Sequence, residues 1–338
     1  MVHLRIVAPP EAARHALDLL CASESVSNVV HLAGAASKPS GDVILADVAR
    51  EDASVTVQDL RELDIPATGS ITISSIETQI SDASARAERH AAGLPSDAVV
   101  WEDVDSRSEE LTELSGTFIA FMVLAMLIAA IGLILDQPIL VIGAMVVSPE
   151  FGPLAGICVG LVQRQGALTR RSATALAVGF PLGIAAAYLF ATVLTAIGQF
   201  PDSFTPSDHP LTSFISQPDE LSFVVAFLAG IAGVLSLTSA KSGALIGVLI
   251  SVTTIPAAAN VGVAASYEEW GEAAGALGQL ALNLSGIVVA GTLTLYIQRR
   301  FYVSRRVRHL SDPSRAEAGL PLGHSARSHG DDARSGHP

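Results

Sequence analysis

The sequence predicts an α-helical membrane protein of six transmembrane helices, preceded by a small α+β domain of the ferredoxin-like (ACT-like) type. Three observations lead there. Half of the residues are hydrophobic and the mean hydropathy is +0.47, high for a water-soluble chain of 338 residues. Charge is segregated: residues 1–113 carry 8 Lys+Arg against 20 Asp+Glu, residues 114–298 carry 4 against 9, and residues 299–338 carry 8 against 4. The apolar residues of the charge-poor middle fall into six runs of span length, one of them interrupted by Pro149, Glu150, Gly152 and Pro153. The expected organisation is a ferredoxin-like domain over 1–81, a polar linker over 82–113, a transmembrane block over 114–298 and a basic, disordered tail over 299–338.

The N-terminal part alternates in periodicity. His3–Ala8 reads as a strand, and Pro10–Ser23 places Ala12, Ala16, Leu19 and Leu20 at helical spacing. Val26–Leu32 and Asp42–Val48 read as strands separated by a turn-rich Gly34–Gly41. Val55–Leu63 reads as a helix, and Ser70–Ile80 alternates as a final strand. The order βαββαβ is the split-βαβ pattern, and residues 1–81 are expected to fold alone. Ser81–Glu113 is polar and contains Trp101, and reads as a linker or an amphipathic helix at the membrane surface.

The predicted spans are Phe118–Leu135, Pro138–Val162, Ala173–Ile197, Leu221–Thr238, Gly243–Ala265 and Gly275–Ile297. Basic residues lie in alternate loops: Arg164, Arg170 and Arg171, then Lys241, then Arg299 to Arg308. The intervening loops are acidic, with Asp136, then Asp202, Asp208, Asp219 and Glu220, then Glu268, Glu269 and Glu272. The positive-inside rule then puts both termini in the cytoplasm, for a multi-pass protein of the inner membrane. No cleavable signal peptide is read in Met1–Pro10, so the first span is expected to act as its own insertion signal.

The second span carries the candidate site. Pro149 and Pro153 remove backbone donors, and the groups they free must be satisfied by protein or by water in a cavity. Glu150 lies about 18 Å along the span at 1.5 Å per residue, near the midplane, where a carboxylate is costly and marks a functional site by default. The competing structural reading is a carboxylate that caps donors at the break. Ser148, Pro149, Gly152, Pro153 and Pro256 are candidates to shape a transport site, against a plain kink with close helix packing. Asn260 and Asn283 are candidates to line it, against ordinary interhelical hydrogen bonding. Thr253 and Thr254 read mainly as satisfying their own helix backbone.

The run IGAMVVSPEFGPLAGICVG from Ile142 and the run IGVLISVTTIPAAANVGVA from Ile246 share Ile-Gly ahead of a central proline. Three spans apart, they would run in opposite directions, which makes them a candidate inverted 3+3 repeat of the kind found in secondary transporters.

The residues Ile142-Gly143-Ala144-Met145, Ser148-Pro149 and Gly152-Pro153 resemble the signature of a prokaryotic membrane family. Gly247, Pro256 and Gly262, and Leu282-Asn283-Leu284, extend the likeness. The family is catalogued as domain of unknown function 389, the uncharacterized hydrophobic domain proteins, and the resemblance runs over about Leu114 to Gln298. Two departures are Glu150, where many members carry a hydrophobic residue, and the single Pro256, where a Pro-Pro pair is common. The resemblance implies topology and motif, not a substrate.

Composition bounds the function. The acidic balance argues against nucleic acid as a partner. Cys21 and Cys158 are the only cysteines, too few for a disulfide framework or a cysteine-rich zinc site, and no cofactor is expected. The spans hold no HExxH, no paired aspartates and no Gly-x-Ser nucleophile, so an enzyme is not expected. His309, His324, His329 and His337 read as a scatter within the tail. The expectation is a transporter or channel for a small solute or ion, embedded in the lipid bilayer, homo-oligomeric, and gated by its cytoplasmic domain. The alternative is a membrane-anchored sensor or oligomeric scaffold.

Overall fold

The computed structural model describes residues 1–91, 93, 98–205, 210–216, 219–239 and 254–325. Its contacts divide into two compact units, Met1–Asp103 with Gln298–Pro338, and Val104–Ile297.

The first unit is built on a four-stranded antiparallel sheet of order β2-β3-β1-β4. The strands are β1 (Val2–Ala8), β2 (Val26–Ser37), β3 (Ser40–Val48) and β4 (Ser70–Ser75). Helix α1 (Pro10–Ala22) follows β1, α2 (Arg50–Glu62) follows β3, and the single turn α3 (Ile65–Thr68) leads into β4. β1 is central because its alternation serves one packed face: Val2, Leu4, Ile6 and Ala8 are buried against Ala16, Leu19 and Leu20 of α1 and Val57 and Leu60 of α2.

Three boundaries differ from the sequence reading for physical reasons. β2 and β3 run through much of the expected turn region, with register shifts at Ser27/Val30 and Leu32/Ala36. Gly34 takes a φ of +63° there, and its N–H donates to Asp42 Oδ1 at 2.8 Å. α2 begins at Arg50 rather than Val55, its first turn carrying Glu51 and Asp52, which suit a helix N-terminus. β4 stops at Ser75 rather than Ile80: among the described residues its partner strand is β1, and Ser75 pairs with Val2, the first residue of β1.

The larger correction concerns the tail. Residues 299–325 are not disordered. The long helix α12 (Trp270–His309) continues through Arg308, and a short helix α13 (Pro313–Glu317) follows and packs on α1. Ala318 and Leu320 join the sheet's core. The anchor is ionic. Asp59 and Glu62 on α2 have almost no exposed side chain. Arg306 donates to Asp59 and, at 2.6 Å, to Glu62 Oε1. Arg315, fully buried, donates to Asp59 and, at 2.9 Å, to Glu62 Oε2. His309 Nε2 lies 2.7 Å from Asp59 Oδ2. The C-terminal segment thus belongs to the same compact unit as the sheet and supplies the partners of these two buried carboxylates. The tail beyond 325, with His329 and His337, lies outside the described residues.

The expected linker is also structured. α4 (Asp82–His90) is capped by Ser81, whose Oγ accepts from Ser84 N–H. α5 (Trp101–Leu111) opens with Trp101, 6% exposed, its N–H donating to Ser54 Oγ at 2.9 Å. Trp101 is therefore a buried residue of the first unit and not a surface anchor.

The second unit is helical. Among the described residues, four helices are long and apolar enough to cross a membrane: α6 (Gly116–Ile134), α9 (Gly166–Ala196), α10 (Glu220–Thr238) and α12. A fifth crossing is supplied if the bent pair α7 (Pro138–Val147) and α8 (Phe151–Gln163) is one span. This is consistent with a multi-pass membrane protein. The predicted fifth span is described only from Thr254, as α11 (Thr254–Ser266); residues 240–253, with Lys241, Gly247 and Thr253, lie outside the described residues. The starts of α6 and α10 are capped, Ser115 accepting from Phe118 N–H and Asp219 from Ser222 N–H. α6 packs on α7, α9 and α11, and α9 packs also on α8 and α11.

Arg315→Ala should strip Asp59 and Glu62 of one cation each and destabilise the first unit by about 3–5 kcal/mol, read as a shifted urea unfolding transition of the full chain. An unchanged transition would contradict the ionic anchor. A second expectation concerns Asp47. Burial pushes its carboxyl up, but hydrogen bonds from Asn28, His3 and Gln79 outweigh this and hold it below the ordinary 3.8. It therefore binds its proton more weakly folded than unfolded, and its contribution is present above pH 3.8 and lost as pH falls through the lowered value. Asp47→Asn should lower stability at neutral pH and lose that effect in strong acid, measured by urea unfolding across a pH series.

Candidate functional site

The break in the second span follows from one dipeptide. A residue before proline is driven out of the helical region, and Ser148 ahead of Pro149 is extended at φ −72°, ψ 136°. α7 ends there and α8 begins after Glu150, with a 51° bend between them. Pro153 has a different role from the one expected. It is the third residue of α8, in the first turn, where a backbone N–H would lack an intrahelical partner in any case. One proline breaks the span and the other starts the next helix.

Glu150 occupies the N-cap position of α8 and is 2% exposed. Its side chain makes no capping bond to the helix. Oε1 instead accepts from Thr254 Oγ1 at 2.8 Å, and Thr254 is fully buried at the described start of α11. Among the described residues Oε2 has no hydrogen-bond partner, and neither has Oγ of Ser148, 5% exposed. The carboxylate faces protein, two residues along the chain from a second orphaned oxygen and joined to a helix whose third described residue is Pro256.

The rest of the predicted set divides. Gly152, Pro153 and Pro256 are buried and Pro149 is half-buried. Gly152 is required by packing, since a Cβ there would lie 2.6 Å from the Leu111 carbonyl oxygen. Asn260 does not join Glu150; its Nδ2 donates to Glu272 Oε1 at 3.2 Å. Asn283 Oδ1 accepts from Gln279 Nε2 at 3.1 Å. Among the described residues, Asn260 and Asn283 thus have polar partners other than Glu150, while the Glu150–Thr254 bond lies at the break. Glu272, read from sequence as a loop residue, is 8% exposed.

Thr254 is the residue that sequence reasoning undervalued. Its hydroxyl donates to Glu150. One signal pointed to it: when Ile142-Gly143 is aligned with Ile246-Gly247, Glu150 and Thr254 fall on the same position.

With this geometry in place, the chain's similarities can be set beside it. Residues 145–289 match the DUF389 family model, described as Domain of unknown function. The match covers the break from Met145 onward, α11 with Pro256, and most of the apolar part of α12, as the Gly-Ala-Met and Ser-Pro motifs implied. The chain is also similar to an uncharacterized protein of Methanocaldococcus jannaschii, 27% identical over 198 residues, which are 56% of this chain and 58% of the relative. The similarity therefore spans little more than half the length of that relative. No solved structure matches.

Thr254→Val removes the donor to Glu150 and keeps the side-chain shape. It should cost about 1–3 kcal/mol, seen as a lower melting temperature in detergent, while Thr254→Ser retains the hydroxyl and should melt close to the parent. Equal melting of the Val and Ser variants would show that the hydrogen bond does not stabilise the break.

Proposed function

We infer that this chain is a transporter or channel for a small solute or ion, with Glu150 as the group that takes up and releases a proton or a cation. The observation that carries the reading is a buried carboxylate at a helix break within an apolar span, with one oxygen bonded to Thr254 and the other unpartnered among the described residues. Such a group is expensive in a bilayer and is retained where it works. Ser148 supplies a neighbouring hydroxyl, while Pro149 makes the break, Pro153 starts the next helix, Gly152 packs closely and Pro256 lies on the facing helix. Asn260 and Asn283 act at one remove, through polar pairs of their own.

The finer architecture belongs to the same reading. It has six spans, the fifth completed by residues 243–253, and an inverted 3+3 repeat. The hydrogen bond between Glu150 and Thr254 supports the repeat, because a two-fold axis between two copies brings equivalent positions into contact. The N-terminal domain is taken as ferredoxin-like; its βαββαβ order and β2-β3-β1-β4 sheet support this. Both termini lie in the cytoplasm, the protein resides in the inner membrane as a homo-oligomer, and it is neither an enzyme nor a binder of nucleic acid. The close packing of Gly152 on Leu111 favours the alternative, a sensor or scaffold without flux.

Pyranine-loaded proteoliposomes under an imposed membrane potential test the role of Glu150. The parent should acidify them, and Glu150→Gln should lose at least about tenfold of that flux while remaining folded, as loss of a proton-transferring group implies. Equal flux in the two proteins would remove the coupling role, and no flux in the parent would favour the scaffold. Orientation is tested in a background lacking Cys21 and Cys158. Ser304→Cys should label only from the cytoplasm and Ser203→Cys only from outside; the reverse would overturn the topology.

A further inference from the structure

The helix break is covered by a segment that is not itself a membrane-spanning helix. Within the second unit α5 contributes Val104–Leu111, and its end, with the residue that follows, rests on the start of α8. A Cβ added at Gly152 would lie 2.6 Å from the Leu111 carbonyl oxygen and 2.8 Å from the Leu111 Cβ, and one added at Gly156 would overlap the Thr112 side chain. At the other end, Asp105 accepts a hydrogen bond from Gln163 Nε2. Thr112 is seven residues from Asp105 and Gly156 is seven residues from Gln163, about 10.5 Å of helix in each case. α5 therefore runs antiparallel along α8, with its end over the break.

The composition of α5 says what lies on its outer side. Of the eight residues Val104–Leu111, four are charged: Asp105, Arg107, Glu109 and Glu110. Glu109, Glu110 and the following Glu113 are exposed. A helix of that composition is expelled from hydrocarbon, so the flank of α8 that it covers is turned toward water and not toward lipid. The inner face is small and polar: Val104, Ser108 and Thr112, at a spacing of four, are each at most 1% exposed. Against Gly152 and Gly156 such a face buries little apolar area, and elements held by few apolar contacts are the ones that open locally. A polar tie between the two helices, the Asp105–Gln163 bond, sits at the end remote from the break.

What the end of α5 covers is the functional end of α8. Glu150 caps that helix two positions before Gly152, and Ser148 lies two positions before Glu150. With Leu111 and Thr112 seated, both are enclosed. A carboxylate that exchanges a proton or a cation must meet water at some point of its cycle. Beside Gly152 it is a polar, weakly held helix that stands in the way.

We propose that Leu111–Thr112 is a movable seal: seated on Gly152 and Gly156 it keeps water from the break, and with α5 swung off α8 it opens an aqueous path to Ser148 and Glu150. The purpose of the seal rests on the reading of Glu150 as an ion-exchanging group. Its movement is measured without flux, so its failure and the failure of that reading are separate results.

The test places Ser148→Cys in the full-length protein lacking Cys21 and Cys158, in detergent. The probe is the permanently charged thiol reagent 2-(trimethylammonium)ethyl methanethiosulfonate, and the rate of modification is read by intact mass. The thiol should react slowly in this parent. Asp105→Ala and Gln163→Ala each untie α5 at the end remote from the break, and each should speed modification at least about threefold, the factor that one lost hydrogen bond gives to an opening equilibrium. If one of these variants fails to fold by circular dichroism, the other decides the matter. The proposal is overturned if the thiol resists modification in the parent and the folded variants alike, which makes the packing permanent. It is equally overturned if the folded variants react at the parent's rate, which puts the path elsewhere.

Discussion

Proline cannot donate a backbone hydrogen bond, and it denies the helical conformation to the residue before it. Within an apolar span that single constraint organises the membrane block. Ser148 is forced extended, α7 stops, and α8 starts afresh after Glu150 at a 51° bend. A helix end in hydrocarbon exposes polar groups that lipid cannot satisfy, so the break must be enclosed by protein. The small residues that follow make this enclosure close: Gly152 is pressed on Leu111, and Gly156 approaches Thr112 and Ser172. The Thr254 hydroxyl reaches Glu150 inside that enclosure. The break, the glycines and the buried carboxylate are consequences of one another.

The first unit depends on a different constraint. The sheet and its two helices bury one apolar face well, but α2 also carries Asp59 and Glu62 inward. Buried carboxylates are costly unless paired or hydrogen-bonded. Arg306, His309 and Arg315 supply the partners from residues some 250 positions away in sequence. The charge segregation along the chain, acidic first and basic last, is thereby given a structural meaning. Part of the basic C-terminal charge neutralises acidic residues of the N-terminal sheet domain.

Much of this was legible in the residues. Apolar, turn-bounded runs marked all four strands, and period-two alternation was clearest in β1, whose one packed face imposes it. The Ser-Pro dipeptide marked the break, because the clash it causes is local. Glu150 stood out, because a lone carboxylate within an apolar run has few structural explanations. The limits of β4 and the reach of α12 into the basic segment were not legible in the same way. β4 ends where its neighbour β1 ends, and the C-terminal helices are held by pairing with α2. Neither cause is visible within the segment itself.

What the sequence determined by itself are the properties that depend on near neighbours: periodicity, span length, charge segregation, and the proline break with its carboxylate. What only the tertiary structure decided is who meets whom. Thr254 rather than Asn260 or Asn283 partners Glu150, Glu272 is buried against Asn260, and the basic tail folds into the N-terminal unit. Those choices are contacts between positions tens to hundreds of residues apart, and a hydrogen bond of 3 Å is set by packing of whole helices, which no local pattern encodes.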